Sequence, residues 1–285
     1  MPKLRTAAIT DEFSPDLPTA LDAMKKAGLT GAELRMIGGK NILDLNDAEL
    51  EQVRELLESR GFEAISIASP LLKCVLPGAP ALDERFQHDV FASKHTFADQ
   101  ERLAERAFEI AGRMGAKIIR VFSYWRTVEP AKTHDAVIAA LEKLGRAAAE
   151  RGLIIGLENE HACNISTGAD AALILPRAAG ASVKLVWDPA NAYVSGENAF
   201  PDGYNKLPKG SIAHVHAKDC RMKDAHTPEW GAVGEMDVDW KGQIAALLAD
   251  GYSGWISLET HWKGPHGDKM EASTICAERL HALLS

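Results

Sequence analysis

The chain has 285 residues, of which 46% are hydrophobic and 25% charged, as expected for a globular protein with a sizeable core. Its 32 basic residues are outnumbered by 40 acidic ones, and the net charge of −8 argues against a nucleic-acid partner. No apolar run approaches the roughly 18 residues of a membrane span, so no membrane association is expected.

Short apolar runs alternate with longer amphipathic segments along the whole chain. Strands are predicted near residues 4–10, 31–35, 62–68, 117–123, 153–158, 183–188, 211–217 and 254–260. Helices are predicted near residues 16–27, 46–60, 84–113, 133–151, 167–180, 196–206, 238–250 and 270–284. Repeated strand–helix units build parallel sheets, so the pattern predicts an α/β protein, with residues 1–285 forming a single domain, a closed (β/α)8 TIM barrel. Two long loops, 69–83 and 218–237, are predicted on the side where barrel active sites form.

Four residues with metal-binding side chains end predicted strands in the second half of the chain. They are Glu158, Asp188, His216 and Glu259. A buried unpaired carboxylate costs several kcal/mol, so their recurrence at one edge of a barrel predicts a shared polar site. Taken singly, each glutamate would equally suit a helix cap or a pair with a surface lysine. Together, three carboxylates and one imidazole suit one divalent ion, Mn²⁺, Mg²⁺ or Co²⁺, with Zn²⁺ also accepted.

Other polar and aromatic residues near the predicted strand ends are candidates for supporting roles. His214 faces the same side of its strand as His216. We expect it to lie deeper and orient a ligand carboxylate, with a hydrogen-bonded core histidine as the alternative. Arg35 and Lys73 are candidates for an anion site. The candidate substrate-binding residues are Glu12, Trp125, His161, Asn191, Lys218 and Arg221. For each of these a structural role, such as packing, capping or a solvated surface charge, is the alternative.

Several segments resemble the sugar phosphate isomerase/epimerase family of the xylose isomerase-like TIM barrel superfamily. They are 10–13, 33–35, 69–73, 157–159, 187–191, 214–219 and 257–261. The resemblance implies that Glu158, Asp188, His216 and Glu259 bind one divalent metal ion, and that the two glutamates also act as acid–base catalysts. The resemblance covers essentially the whole chain. The family includes ketose 3-epimerases, hydroxypyruvate isomerase and inosose dehydratase.

The chain departs from the ketose 3-epimerases in three places. Asn164 and Asn191 stand where those enzymes have a glutamate and a histidine, and Arg221 lies one position from their substrate-binding arginine. These departures argue against a strict free-ketose 3-epimerase.

The expected function is a metal-dependent isomerase or epimerase that acts on a sugar, a sugar phosphate or a small hydroxy-keto acid. Proton transfer would proceed through an enediolate stabilised by the divalent ion, with Mn²⁺ preferred. An inosose-type dehydratase would use the same site. An apurinic-site endonuclease would need further ligands, for which Asp219 and His226 are spare candidates, and a non-catalytic sugar-binding barrel would not need both glutamates. Scattered cysteines and an N-terminus unlike a signal peptide predict a cytoplasmic protein, and a homo-oligomer is compatible with the pattern.

Overall fold

Eight parallel strands form a closed barrel in the computed structural model, which describes residues 4–86, 95–178, 182–224 and 227–285. The strands are β1 Arg5–Ile9, β2 Gly31–Leu34, β3 Glu63–Ala68, β4 Ile118–Val121, β5 Ile154–Glu158, β6 Val183–Trp187, β7 Ile212–Ala217 and β8 Trp255–Leu258. Neighbours in the sequence pair in parallel, and β8 pairs with β1, which places Arg5 opposite Trp255. The predicted barrel is therefore confirmed.

Helices follow the strands and cover the outside of the barrel. They are α1 Leu17–Lys26, α2 Asp47–Arg60, α3 Gln100–Met114, α4 His134–Ala149, α5 Gly168–Ala178, α6 Pro189–Val194, α7 Trp240–Ala249 and α8 Lys269–Leu283. Helix α2 shows why these segments are helical. Asn46 and Glu49 form a reciprocal capping box at its start, and Gly61 ends it with a φ of 74°. No helix in the described part of the chain is long and apolar enough to cross a membrane.

Two predicted helices differ from the structure. The segment 84–113 becomes regular only at α3, which begins just after a capping box between Thr96 and Asp99, and residues 87–94 lie outside the described residues. The segment 196–206 contains only the short turns Ala199–Gly203 and Tyr204–Lys206, because Phe200 has an extended backbone. Helix α6 instead begins directly after β6. The end of the predicted helix 167–180 falls on residues 179–180, which are outside the described ranges.

Successive side chains of each strand point alternately to the barrel interior and to the core between strands and helices. In β5, Ile155 and Leu157 are fully buried in the main hydrophobic core. Gly156, which lies between them, faces the barrel interior, because a Cβ there would meet the side chains of Val186 and Ile118 on the neighbouring strands. Glu158 shares this interior side of β5. The fold thus directs the side chains at the ends of β5–β8 towards the barrel axis.

The loop after β7 contains a two-stranded antiparallel hairpin, Asp219–Met222 with Pro228–Gly231. Residues 225–226, which include the spare ligand candidate His226, are outside the described residues. The carboxylate of Asp219 accepts hydrogen bonds from backbone N–H groups of this loop, at distances from 2.7 to 3.3 Å. Asp219 therefore orders the loop, and it belongs to no cluster of candidate metal ligands found among the described residues.

Candidate metal centre

The four predicted ligands meet at one end of the barrel. One ligand atom from each of Glu158, Asp188, His216 and Glu259 lies within 4.8 Å of the others. Glu158 is the last residue of β5, Asp188 and Glu259 directly follow β6 and β8, and His216 lies in β7. All four are buried, with Glu259 the most exposed at 5%. Adjacent parallel strands thus bring together donors that are far apart in the sequence.

Glu158 is held by two positively charged partners. Arg120 Nη1 donates to its Oε2 at 2.7 Å, and His216 Nδ1 lies 3.1 Å from its Oε1. Burial favours the neutral acid, but the charges of His216 and Arg120 outweigh it and lower the pKa of Glu158 to about 2. This carboxylate is therefore ionised at neutral pH. Arg120, a single charge within the apolar strand β4, was not among the predicted site residues.

Glu259 is also enclosed by cations. Arg35 Nη1 donates to Oε1 at 3.1 Å, and Lys218 Nζ donates to Oε2 at 2.6 Å. Burial opposes ionisation, but Lys218 in particular holds the pKa of Glu259 well below its usual value. Arg35 is fixed in turn by bonds to Asp11 and Glu12. Glu259 is therefore a second oriented, ionised carboxylate.

Asp188 has one oxygen engaged and one aimed into the cluster. Its Oδ1 accepts from the backbone N–H of Asn191 at 2.8 Å and caps α6. Its Oδ2 makes no hydrogen bond, although Lys218 Nζ lies 2.9 Å away in an ion-pair contact. Burial raises the pKa of Asp188 to about 6, against the opposing charge of Lys218. Asp188 Oδ2 thus makes an ion-pair contact but no hydrogen bond, and it is available to a metal ion on the cluster side.

His216 uses both ring nitrogens. Its Nδ1 faces Glu158 Oε1 and lies 3.6 Å from Glu259 Oε2, while Nε2 lies 3.1 and 3.2 Å from the two oxygens of Glu33. Burial alone would lower the pKa of this imidazole, but Glu33 and Glu158 raise it well above the usual value. His214 Nε2 also contacts Glu33, at 2.9 Å. His214 therefore contacts a carboxylate outside the predicted ligand set, and Glu33 was not among the predicted site residues.

The charge balance suits a divalent cation. Seven buried carboxylates belong to the cluster or contact its immediate neighbours: those of Asp11, Glu12, Glu33, Glu158, Glu160, Asp188 and Glu259. The buried Lys and Arg side chains beside them in the described chain are those of Arg35, Lys73, Arg120 and Lys218. The seven acids outnumber these four cations and the protonated His216, so negative charge is in excess in a region of low dielectric. Together with Asp188 Oδ2, which makes no hydrogen bond, the donor set fits one divalent ion.

A cavity of about 390 Å³ opens beside the cluster, a volume suited to a small molecule. Glu259 forms part of its wall, with Arg35, Lys73 and His161. Trp230 and His261 also contribute, and their rings are in contact with centroids 4.7 Å apart and planes tilted by 34°. The cavity therefore combines an aromatic surface with charged groups, which suits a polar ring or chain.

Three of the candidate substrate-binding residues lie at the cavity or at the cluster. His161 lines the cavity, and its Nδ1 lies 2.9 Å from Asn191 Oδ1. The amide of Asn191 donates to Glu158 Oε1 at 3.4 Å and to Glu160 Oε2 at 3.2 Å. Lys218 is buried between Asp188 and Glu259.

The other three candidates do not line the cavity. Trp125 is buried in a small cluster with Phe122, Ala162 and Cys163. Arg221 is on the exposed side of the hairpin, where its Nε donates to Glu229 at 2.7 Å. Glu12 is buried beneath Arg35 and within 3.1 Å of Lys269. Tertiary packing determines where side chains of the loops lie, and the pattern of strand ends in the sequence does not predict that packing.

Comparisons with known proteins agree with this architecture. A model of the xylose isomerase-like TIM barrel family matches residues 21–276. An inosose dehydratase from Geobacillus thermodenitrificans (strain NG80-2) is 26% identical over 269 residues, covering 84% of this chain and 80% of that protein.

Two solved structures share the fold. A D-allulose 3-epimerase from Methylomonas sp., in complex with D-allulose, superposes with a TM-score of 0.73 at 18% identity, covering 99% of this chain and 98% of that one. A xylose isomerase-like TIM barrel protein from Mycobacterium smegmatis, in complex with magnesium, has a TM-score of 0.69 at 18% identity, again covering 99% and 98%. Because the family model spans most of the sequence, this chain belongs to the xylose isomerase-like TIM barrel family.

Proposed function

We propose that the chain is a divalent-metal-dependent isomerase or epimerase acting on a sugar, a sugar phosphate or a small hydroxy-keto acid. The observation that carries this proposal is the pair of ionised carboxylates, Glu158 and Glu259, which meet at His216 beside a cavity of about 390 Å³. Relatives whose names specify an inosose dehydratase and a D-allulose 3-epimerase support a sugar-type substrate.

The proposed cofactor is one divalent ion held by Glu158, Asp188, His216 and Glu259. Mn²⁺ is our first choice, and Mg²⁺, Co²⁺ or Zn²⁺ would suit the same donors. The magnesium complex of the similar Mycobacterium smegmatis protein supports a divalent ion in this fold. When bound, the ion would stabilise negative charge that develops as a proton leaves a carbon next to a carbonyl.

The two glutamates would move the protons. Their lowered pKa values leave both ionised at neutral pH, which is the form that a general base must have to accept a proton. Arg120 and Arg35 fix the directions of Glu158 and Glu259, respectively. The Lys218 ammonium donates a hydrogen bond to Glu259 Oε2 at 2.6 Å and keeps that carboxylate ionised. Return of the proton to the opposite face would epimerise the substrate, and return to the neighbouring carbon would isomerise it.

A dehydratase is the second candidate, favoured by the 26% identity to an inosose dehydratase over 269 residues. The first step would be the same proton removal. Loss of a hydroxyl from the adjacent carbon would then replace proton return. The two functions therefore differ in product and agree in the residues that begin the reaction.

Proton exchange in D₂O tests the proposal. Protein reconstituted with Mg²⁺ would be incubated with ketoses, ketose phosphates, hydroxypyruvate and inososes, and followed by NMR. We expect deuterium to enter a carbon next to the carbonyl of one substrate class. Glu259→Gln should slow this exchange by about 10²–10⁴-fold, because it removes a proton acceptor.

A matched control is Glu63→Gln at the opposite end of the barrel, where the side chain is 58% exposed. It should exchange at the wild-type rate. A shifted carbonyl, an inverted centre or a lost hydroxyl in the product would distinguish isomerase, epimerase and dehydratase. Metal-loaded protein that exchanges no proton in any of these substrates would contradict the proposal.

A further inference from the structure

A buried hydrogen-bond network of Glu33, His214 and His216 crosses the barrel interior beside the four-ligand cluster. Glu33 in β2 is fully buried, and its carboxylate contacts Nε2 of both His214 and His216 in β7. Strands β1 and β8 separate β2 from β7 around the barrel, so Glu33 reaches across the interior. The strand pairing alone does not require this contact. Its presence therefore calls for a physical reason.

Within the described chain, the two imidazoles are the hydrogen-bond partners of the Glu33 side chain. An ionised carboxylate only accepts hydrogen bonds, so each of these Nε2 atoms must carry a proton. In His216 this leaves Nδ1 as the nitrogen that faces Glu158 and Glu259. A cation at the cluster would replace a proton on Nδ1, whereas Glu33 would keep the proton on Nε2.

We infer that Glu33 is a positioning residue for the metal centre, which fixes the ring orientation and the protonated nitrogen of His216 so that Nδ1 serves as the ligand. His214 holds the Glu33 carboxylate in place through its own Nε2. This inference rests on the metal site of the proposed function. Carboxylates that orient ligand histidines in this way typically contribute 10- to 100-fold to metal affinity.

A second ion bound by Glu33, His214 and His216 is the competing explanation, since their ligand atoms also lie within 4.8 Å of one another. Such an ion would require Nε2 of His216 to lose its proton while Nδ1 served the first ion. The imidazole would then have to bridge two metals as an anion. One ion with a hydrogen-bonded Nε2 requires no such ionisation, and metal stoichiometry separates the two explanations.

The test compares Glu33→Gln and Glu33→Leu with Ser66→Ala. Ser66 is buried on β3 directly opposite Glu33, so it controls for packing disturbance in the same layer. Mn²⁺ affinity and stoichiometry would be measured by calorimetric titration. The ring protons and nitrogens of His216 would be observed by NMR on ¹⁵N-histidine-labelled protein, metal-free and loaded with Zn²⁺.

We expect one ion per wild-type chain and a retained Nε2 proton on His216 in the loaded protein. Glu33→Gln should weaken Mn²⁺ binding by about 10- to 100-fold and shift the Nε2–H resonance, and Glu33→Leu should have a larger effect on both. Ser66→Ala should bind Mn²⁺ as the wild type does. Glu33→Gln keeps the side-chain shape and remains informative should Glu33→Leu not fold.

Unchanged affinity and an unchanged Nε2–H resonance in the folded Glu33→Gln protein would overturn the inference, as would two ions in the wild type and one in the variant. A wild type that binds no divalent ion would overturn the proposed metal centre itself, and with it the inference that rests on it. Weak binding confined to the Glu33 variants would support both.

Discussion

Lys218 places an ammonium group between two of the predicted metal ligands. Its Nζ lies 2.9 Å from Asp188 Oδ2 and 2.6 Å from Glu259 Oε2, and its side chain is 1% exposed. Buried ions are tolerated when each offsets the desolvation of its partner. The same two carboxylate oxygens face the proposed cation. Lys218 and a divalent ion therefore repel each other within one cluster.

Replacing Lys218 with methionine should separate its effect on the stability of the metal-free protein from its effect on metal affinity. The metal-free protein should lose about 3–5 kcal/mol of stability, because Asp188 stays buried without its cation and Glu259 keeps Arg35 but loses its closer cation. Metal affinity should rise by about tenfold, roughly 1.4 kcal/mol, because the repulsion is removed. Unfolding with and without Mn²⁺, together with calorimetric titration, measures both effects.

Lys209→Met provides the surface control. Lys209 also pairs with an aspartate, Asp250, but its side chain is 77% exposed. Exposed pairs contribute little, so stability should change by no more than about 1 kcal/mol and metal affinity should stay constant. Weaker metal binding in Lys218→Met would show that the ammonium assists the cation, contrary to our expectation.

The sequence predicted the convergence of the four candidate ligands better than it predicted their surroundings. Glu158 and Asp188 could be selected because polar residues at successive strand ends must converge in a barrel. Glu33 and Arg120 are single charges inside short apolar strands, and alternation shows at most that they face the interior. Nothing local indicates that Glu33 reaches β7 across two intervening strands. That contact depends on the closed geometry of the barrel.

At the scale of one element, β5 depends on a residue without a side chain. A Cβ at Gly156 would lie 2.6 Å from Val186 Cγ2 and 3.0 Å from Ile118 Cγ2. Gly156→Ala should therefore destabilise the protein by about 1–3 kcal/mol through overpacking, as measured by urea unfolding. Because Gly156 lies two residues before Glu158, we also expect weaker metal binding.

The matched substitution is Gly112→Ala in α3, where a Cβ would meet no atom within 4 Å. Alanine is favoured over glycine inside a helix, so this variant should gain up to about 1 kcal/mol. Glycine-to-alanine substitution should thus lower the free energy of unfolding in the strand and raise it in the helix. A Gly156→Ala protein as stable as the wild type would show that the interior layer has room to adjust.

Element prediction succeeded where a local signal existed. Apolar runs marked all eight strands to within a few residues, and the Asn46 capping box marked the start of α2. It failed for 196–206, because the pattern did not reveal the extended backbone of Phe200. Helix α6 was missed because Asp188 is both the predicted ligand and the cap of a helix only six residues long.

At the scale of the whole molecule, the cysteines report on opening of the fold. All four are buried, and none of them forms a disulfide bond. Burial raises the pKa of Cys74 and Cys276 to about 11 and that of Cys220 to about 12. A thiol is neutral below its pKa, and only the thiolate reacts, so native protein at pH 8 should be alkylated very slowly.

Iodoacetamide labelling followed by mass spectrometry measures this expectation. In a urea series, the extent of labelling should increase at the same urea concentration for all cysteines, and this concentration should match the unfolding transition seen by circular dichroism. Fully unfolded protein provides the reference for complete reaction. Fast modification of one cysteine in native buffer would instead locate a region that opens independently of the barrel.

The pairing of the last strand with the first determines when the site can exist during synthesis. Glu259 follows β8, and β8 bonds to β1, which a ribosome produces about 250 residues earlier. A nascent chain released before β8 would contain Glu158, Asp188 and His216 but lack the fourth candidate ligand and the strand that closes the ring. The complete set of candidate ligands and the closed barrel would therefore form in the same step.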